Sequence, residues 1–166
     1  MIKETIRILG IDPGLRHTGW GLIELSGPRL RHIDHGVIKT DTTMSLGQRL
    51  AVIHAGILEI VQKYAPDYAG IEETFVNANP RQALMLGQAR GAALVALASC
   101  GLAIGEYSAR KIKLSLVGSG KADKAQMQFM VARLLPRAGK MSDDAADALA
   151  CAICAAHNQP QAGVRA

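Results

Sequence analysis

From Ile6 to Glu24 the chain reads IRILGIDPGLRHTGWGLIE, two hydrophobic runs broken by a turn, and the first run delivers a carboxylate, Asp12, into Pro13 and Gly14. Short apolar runs bounded by Pro and Gly read as strands, and a tight turn between them makes the pair antiparallel. An ionised acid at the end of a buried strand is costly unless a cation pairs with it. The nearest cations in sequence, Arg16 and His17, lie in the loop, and a metal ion or a phosphate-bound metal would also settle that cost. Asp, Pro and Gly are turn residues for their own steric reasons. By themselves these residues leave a plain turn and a metal site open.

The pattern beyond this hairpin predicts the rest of the domain. Strands are expected over Ile6 to Asp12 and Thr18 to Leu25, with Gly27-Pro28 leading into a more polar third strand that ends near Lys39. The period then changes. Ser45 with Gln48 makes a capping-box signature, and Leu46, Leu50, Ile53, Ile57 and Val61 recur at helical spacing until Pro66. Tyr68 to Glu72 reads as a fourth strand that again ends in an acid. Asn79-Pro80 opens a long helix running to Gly101, with Asn as the cap and Pro in the first turn. Gly87 and Gly91 share one face of it, which suits core packing or a subunit interface. Leu102 to Tyr107 is a fifth strand. A glycine-rich loop, Gly118-Ser119-Gly120, precedes a helix from about Lys121 to Leu135, and a last helix starts near Ser142. These elements predict an α/β domain with a mixed five-stranded sheet covered by helices on both faces. A single domain is expected over residues 1–157, with a flexible tail over 158–166.

Composition narrows the class. The 166 residues, about half of them hydrophobic, suffice for one core without covalent staples. Three cysteines leave one unpaired in any disulfide scheme, which points to a reducing, cytoplasmic compartment. Cys151 and Cys154 fall inside an alanine-rich helical stretch and read as small packing residues. No signal peptide is visible, and the longest nearly apolar run, Gly91 to Gly105, is shorter than the roughly 20 residues a membrane span needs. The net charge is +5, yet between Ser108 and Lys140 stand Arg110, Lys111, Lys113, Lys121, Lys124, Arg133, Arg137 and Lys140 against Asp123 alone. A solvated helix face usually balances its signs, so this imbalance favours a polyanion footprint.

The acids form a second constellation. If the strands ending in Asp12 and Glu72 are parallel neighbours, their carboxylates stand about 4.8 Å apart and can share a cation. Asp144 and Asp147, three apart, share one face of the last helix. The helix dipole alone accounts for an acid at Asp143 or Asp144. Asp147 lies deeper, beside Ala148 and Cys151, where an unpaired acid is expensive. Hard oxygen donors without histidine or cysteine suit magnesium or manganese, and magnesium beside a basic groove points to phosphoryl chemistry.

Four segments, ILGIDPGLRHTGWG, GIEETFVNANPRQALMLGQARG, EYSARKIKLSLVGSGKADK and SDDAADALACAI, resemble in order the RuvC family of bacterial Holliday junction resolvases. The likeness extends from about Ile6 to His157. It implies an RNase H-like fold and a homodimer that nicks four-way DNA junctions in recombination and repair, with paired symmetric cuts leaving 5′-phosphate and 3′-hydroxyl ends. It implies Asp12, Glu72, Asp144 and Asp147 as catalytic ligands of two Mg2+ per subunit, with Mn2+ as a substitute. Lys113 and Lys124 match basic residues near the scissile phosphate, Lys124 with a catalytic role. Phe75 matches an aromatic that contacts bases, and Arg81 and Arg110 join the expected DNA contacts. The resemblance also implies RuvA and RuvB branch-migration proteins as partners, a preference for short T-rich sequences and no membrane association. The side to which Glu73 faces stays open. Two rivals are an actin-like ATPase or sugar-kinase fragment, using Asp12 and the glycines as a phosphate loop, and a non-catalytic junction-binding protein. The first needs a second lobe, and the second gives no reason for four acids.

Overall fold

The computed structural model describes residues 5–74 and 78–159. Strands β1 (Thr5–Asp12), β2 (His17–Ser26) and β3 (Arg29–Lys39) form the expected meander. Then follow α1 (Leu46–Tyr64), β4 (Tyr68–Glu72), α2 (Pro80–Ser99), β5 (Ala103–Tyr107), α3 (Ala109–Val117), α4 (Lys124–Leu134) and α5 (Asp143–Asn158). The sheet order is β3-β2-β1-β4-β5. β1 is antiparallel to β2 and parallel to β4, which is parallel to β5. The sheet is therefore mixed, as expected, with helices on both faces.

Strand alternation assigns the faces. Leu9 and Ile11 of β1 join Leu22, Ile53, Ile57 and Leu97 in a core under α1 and α2. Ile8 joins Ile23, Val131, Leu149 and Ile153 in a core under α3, α4 and α5. Side chains two apart share a face, so Gly10 and Asp12 point with Ile8 toward α5. In α5 eleven residues from Ala145 to Ala156 are buried, most of them alanine, which lets a helix lie close against a sheet on one side and against α3 and α4 on the other.

The expected caps form. Ser45 and Gln48 make the capping box of α1, which ends at Ala65 in the left-handed region ahead of Pro66. Asn79 caps α2, with Pro80 in its first turn. Two corrections concern the basic segment. Residues 109–117 form α3, a helix the sequence reading passed over as the approach to a glycine loop. Its signal was short: Ile112 and Leu116, one turn apart, are its buried residues, and Gly118 ends it with a positive φ of 78°. The next helix starts at Lys124 and not near Lys121, because Asp123 caps it in a capping box with Gln126. α5 runs through Asn158, one residue into the stretch expected to be tail; residues 160–166 lie outside the described residues. Cys151 and Cys154 are buried free thiols and Cys100 is an exposed one. Among the described residues no helix is long and apolar enough to cross a membrane.

Candidate metal-dependent nuclease site

The register of the parallel pair builds the first half of the site. Ile11 of β1 lies opposite Ile71 of β4. The next residues, Asp12 and Glu72, therefore end adjacent strands side by side. On its other flank Asp12 pairs with Gly19 of β2, and over that glycine passes the first turn of α5. A Cβ at Gly19 would stand 2.0 Å from the Asp144 carbonyl oxygen, and one at Gly10 would stand 2.1 Å from that of Ala148. The missing side chains allow α5 to rest on the sheet with Asp144 and Asp147 above the strand ends.

Electrostatics records how near the acids stand to one another. Burial first, then the charges of Glu72, Asp147 and Asp144, push the Asp12 carboxyl up to about 8. Glu72 is pushed up to about 7 by burial and by Asp147, against the opposing pull of Lys113. Asp147 is raised chiefly by burial, with Lys124 working against the shift. Asp12, Glu72 and Asp147 thus each feel neighbouring acids and a nearby lysine. Among the described residues no three histidine, cysteine, aspartate or glutamate side chains converge on one point as they stand. The donor set nonetheless suits a divalent cation, which takes hard, anionic oxygen donors and offsets their mutual repulsion.

Glu72, Asp147, Lys113 and Lys124 line one cleft of about 270 Å³, with Ile112, Met127 and Ala150 forming its apolar wall. Lys113 rises from α3 and is partly buried, whereas Lys111 and Lys121 are exposed. Lys124, in the first turn of α4, reaches across to Asp143 at 2.8 Å, and Gln128 Nε2 donates to the other Asp143 oxygen at 2.7 Å. Arg110 stands further out, its chain beside Gly120. Arg81 is exposed in the first turn of α2. Phe75 lies outside the described residues.

Several neighbours of the site were given no role in it by the sequence reading. His17, read from the sequence only as a loop cation near Asp12, opens β2, and its Nδ1 stands 3.8 Å from Asp144 Oδ2. Asp143 was explained by the helix dipole, and its bond to Lys124 joins residues nineteen apart with no periodic relation. The turn itself is braced from a distance. Thr18 Oγ1 donates to the Gly14 carbonyl at 2.7 Å, while Arg49 of α1 donates to Thr40 Oγ1 at 3.0 Å and to the Leu15 carbonyl at 3.4 Å. Glu73 donates its amide to the Tyr107 carbonyl at 2.8 Å, and its side chain is partly buried.

Comparison with known proteins places this geometry. The family model of crossover junction endodeoxyribonuclease RuvC matches residues 8–155. A crossover junction endodeoxyribonuclease RuvC from Hyphomonas neptunium is 64% identical over 96% of this chain and 95% of its own. The structure of T. thermophilus RuvC in complex with Holliday junction substrate superposes with a TM-score of 0.85 at 32% identity, covering 91% of this chain and 93% of that one. The yeast mitochondrial Holliday junction resolvase Ydc2 shares the fold at 14% identity and a TM-score of 0.67, over 93% of this chain and 79% of its own. With two carboxylate-bearing strand ends, a carboxylate-bearing helix and a lysine-lined cleft on one RNase H-like sheet, the chain belongs to the RuvC family of crossover junction endodeoxyribonucleases.

Proposed function

We propose that this enzyme, a crossover junction endodeoxyribonuclease by family, binds four-way junction DNA and resolves it by paired nicks in opposing strands, using Asp12, Glu72, Asp144 and Asp147 to hold Mg2+. One observation carries the reading: acids from β1, β4 and α5 gather beside a lysine-lined cleft, where burial and neighbouring acids raise the proton affinity of Asp12 and Glu72. The related protein solved with a Holliday junction substrate supports the choice of DNA.

Phosphodiester hydrolysis requires rate enhancements on the order of 10¹⁷, or about 23 kcal/mol. Asp12, Glu72, Asp144 and Asp147 would hold two Mg2+ per subunit, with Mn2+ as a substitute, and the bound metal would supply Lewis-acid activation of water and charge stabilisation at the leaving 3′ oxygen. The chain's own residues do the rest. The carboxylates fix the positions of the charge on rigid strand ends and a helix, so little reorganisation accompanies the reaction. Lys113 and Lys124 offset charge at the scissile phosphate, and for Lys124 this requires exchanging Asp143 for phosphate oxygens. Arg81, Arg110 and Phe75 extend the DNA contact. Residues 1–157 act as one nuclease domain in a cytoplasmic homodimer. The two-fold axis pairs the cuts as a four-way junction requires, and RuvA and RuvB deliver the junction.

The test uses a synthetic four-way junction with Mg2+ and then with a chelator, comparing wild type with Asp144→Asn. Paired nicks with 5′-phosphate and 3′-hydroxyl ends are expected from the wild type alone, while both proteins bind. Normal cutting by the variant would remove Asp144 from the site.

A further inference from the structure

One side chain outside the four acids and the lysines holds part of the site in place. Arg90 of α2 is largely covered, with 17% of its side chain exposed. Its Nε donates to the backbone carbonyl of Glu72 at 3.0 Å, and its Nη2 pairs with the Glu106 carboxylate. Glu72 is the last residue of β4, paired with Tyr107 of β5, and Glu106 stands one position back, opposite Ile71. The following peptide is pinned from the β5 side, where the Glu73 amide donates to the Tyr107 carbonyl at 2.8 Å. The peptide carrying the Glu72 side chain is therefore held at a point where a strand leaves its ladder and would otherwise fray.

A planar guanidinium serves both acceptors at fixed angles, which a single ammonium does not. Glu106 orients the fork and Arg90 transmits that orientation to the Glu72 carbonyl. We propose that Arg90 is a positioning residue for Glu72, setting where this carboxylate meets a divalent cation. The proposal rests on Glu72 being a metal ligand. Arg90 touches neither DNA nor metal in this role. Loss of a half-covered ion pair destabilises a fold whatever its purpose, so stability alone does not separate positioning from packing.

The experiment compares wild type with Arg90→Gln, Arg90→Lys, Glu106→Gln and Glu72→Gln. Mn2+ binding is measured by calorimetry without DNA, exchange of the Glu73 amide by NMR, and nicking of a four-way junction across a Mg2+ series. Arg90→Gln is expected to weaken Mn2+ binding by up to about 10-fold, the lower end of the range for residues that orient ligands. It should raise the Mg2+ needed for half-maximal nicking by a similar factor and speed Glu73 exchange, with junction affinity in chelator unchanged. Arg90→Lys should recover part of the loss. If Arg90→Gln does not fold, Glu106→Gln, whose site is half exposed, should shift Mn2+ binding in the same direction by less. Wild-type Mn2+ affinity in a folded Arg90→Gln, or in Glu106→Gln where that variant serves, overturns the proposal. Wild-type Mn2+ affinity in Glu72→Gln overturns the assignment of Glu72 itself, a result that stands apart from anything Arg90 does.

Discussion

Gly19 lies directly beneath the Asp144 carbonyl, so close that a Cβ there would stand 2.0 Å from the oxygen. Because Gly19 is also the ladder partner of Asp12, this contact sets how far α5 descends toward the end of β1. Gly19→Ala forces helix and sheet apart. It should cost about 1–3 kcal/mol, the usual range for overpacking, and lower the nicking rate further than the loss of folded protein explains. Urea unfolding and single-turnover nicking measure the two effects. Gly47→Ala, in a helical turn with nothing within 4 Å of the added carbon, is the matched control and should be neutral or stabilising by up to about 1 kcal/mol.

Acid pH should stabilise this protein when a chelator is present. Burial and neighbouring acids push Asp12 up to about 8 and Glu72 up to about 7, whereas in the unfolded chain both titrate near 4, as ordinary carboxylates do. The folded state binds these protons more tightly. The stabilisation is therefore complete below the unfolded values and is lost as pH rises through 7 and 8, each group contributing a slope of up to about 1.4 kcal/mol per pH unit in between. Asp12→Asn should flatten the profile while abolishing cleavage. In the proposed role Mg2+ takes the deprotonated acids, so its stabilising effect should grow over the same range. Melts from pH 5 to 9, with chelator and with Mg2+, decide the matter. A flat chelator profile would refute the mutual shift.

In the proposed role of Lys124, phosphate has to displace Asp143. The pair is 2.8 Å apart and both side chains are more than half exposed, so its strength falls in the range of about 0.2–1 kcal/mol for surface ion pairs. Asp143→Asn should tighten junction binding by no more than about 5-fold at low salt, with the gain fading as salt screens the charges. Affinity measured by anisotropy across a salt series tests this. Lys124→Ala should weaken binding and reduce the salt slope by roughly one unit, as loss of one phosphate contact requires.

The exposed face of α2 is the candidate dimer surface. Leu84 and Val95 are 66% and 60% exposed, and no atom lies within 4 Å of a Cβ built at Gly87 or Gly91 on the same helix. Large apolar side chains left open around small residues suit close approach of a second helix. Leu84→Arg should yield monomers by analytical ultracentrifugation, nick junctions singly and uncoordinatedly, and leave the melting temperature of the isolated subunit within a few degrees. A dimer that survives both Leu84→Arg and Val95→Arg would place the interface elsewhere.

The local elements were legible because each is specified by neighbours in sequence. The capping box at Ser45 and Gln48, the Asn79-Pro80 helix start and the strand ending at Glu72 all appear where their residues placed them. α3 was missed because its nine residues carry four polar or charged side chains and one buried apolar pair, Ile112 and Leu116. The helix expected from about Lys121 starts instead at Lys124, where Asp123 caps it.

Sequence by itself determined which groups are available: acids at the ends of two apolar strands, two more on one face of an alanine-rich helix, and a block of cations. Periodicity and capping act over a few residues, so they fix elements and faces. Tertiary structure alone decided that β1 and β4 are parallel neighbours, which brings Asp12 beside Glu72, and that glycines admit α5 to within reach of both. It alone tied Arg90 to the Glu72 carbonyl and Lys124 to Asp143. Those contacts join segments distant in the chain, where a side chain's partner is set by the packing of sheet and helices and leaves no local pattern in the sequence.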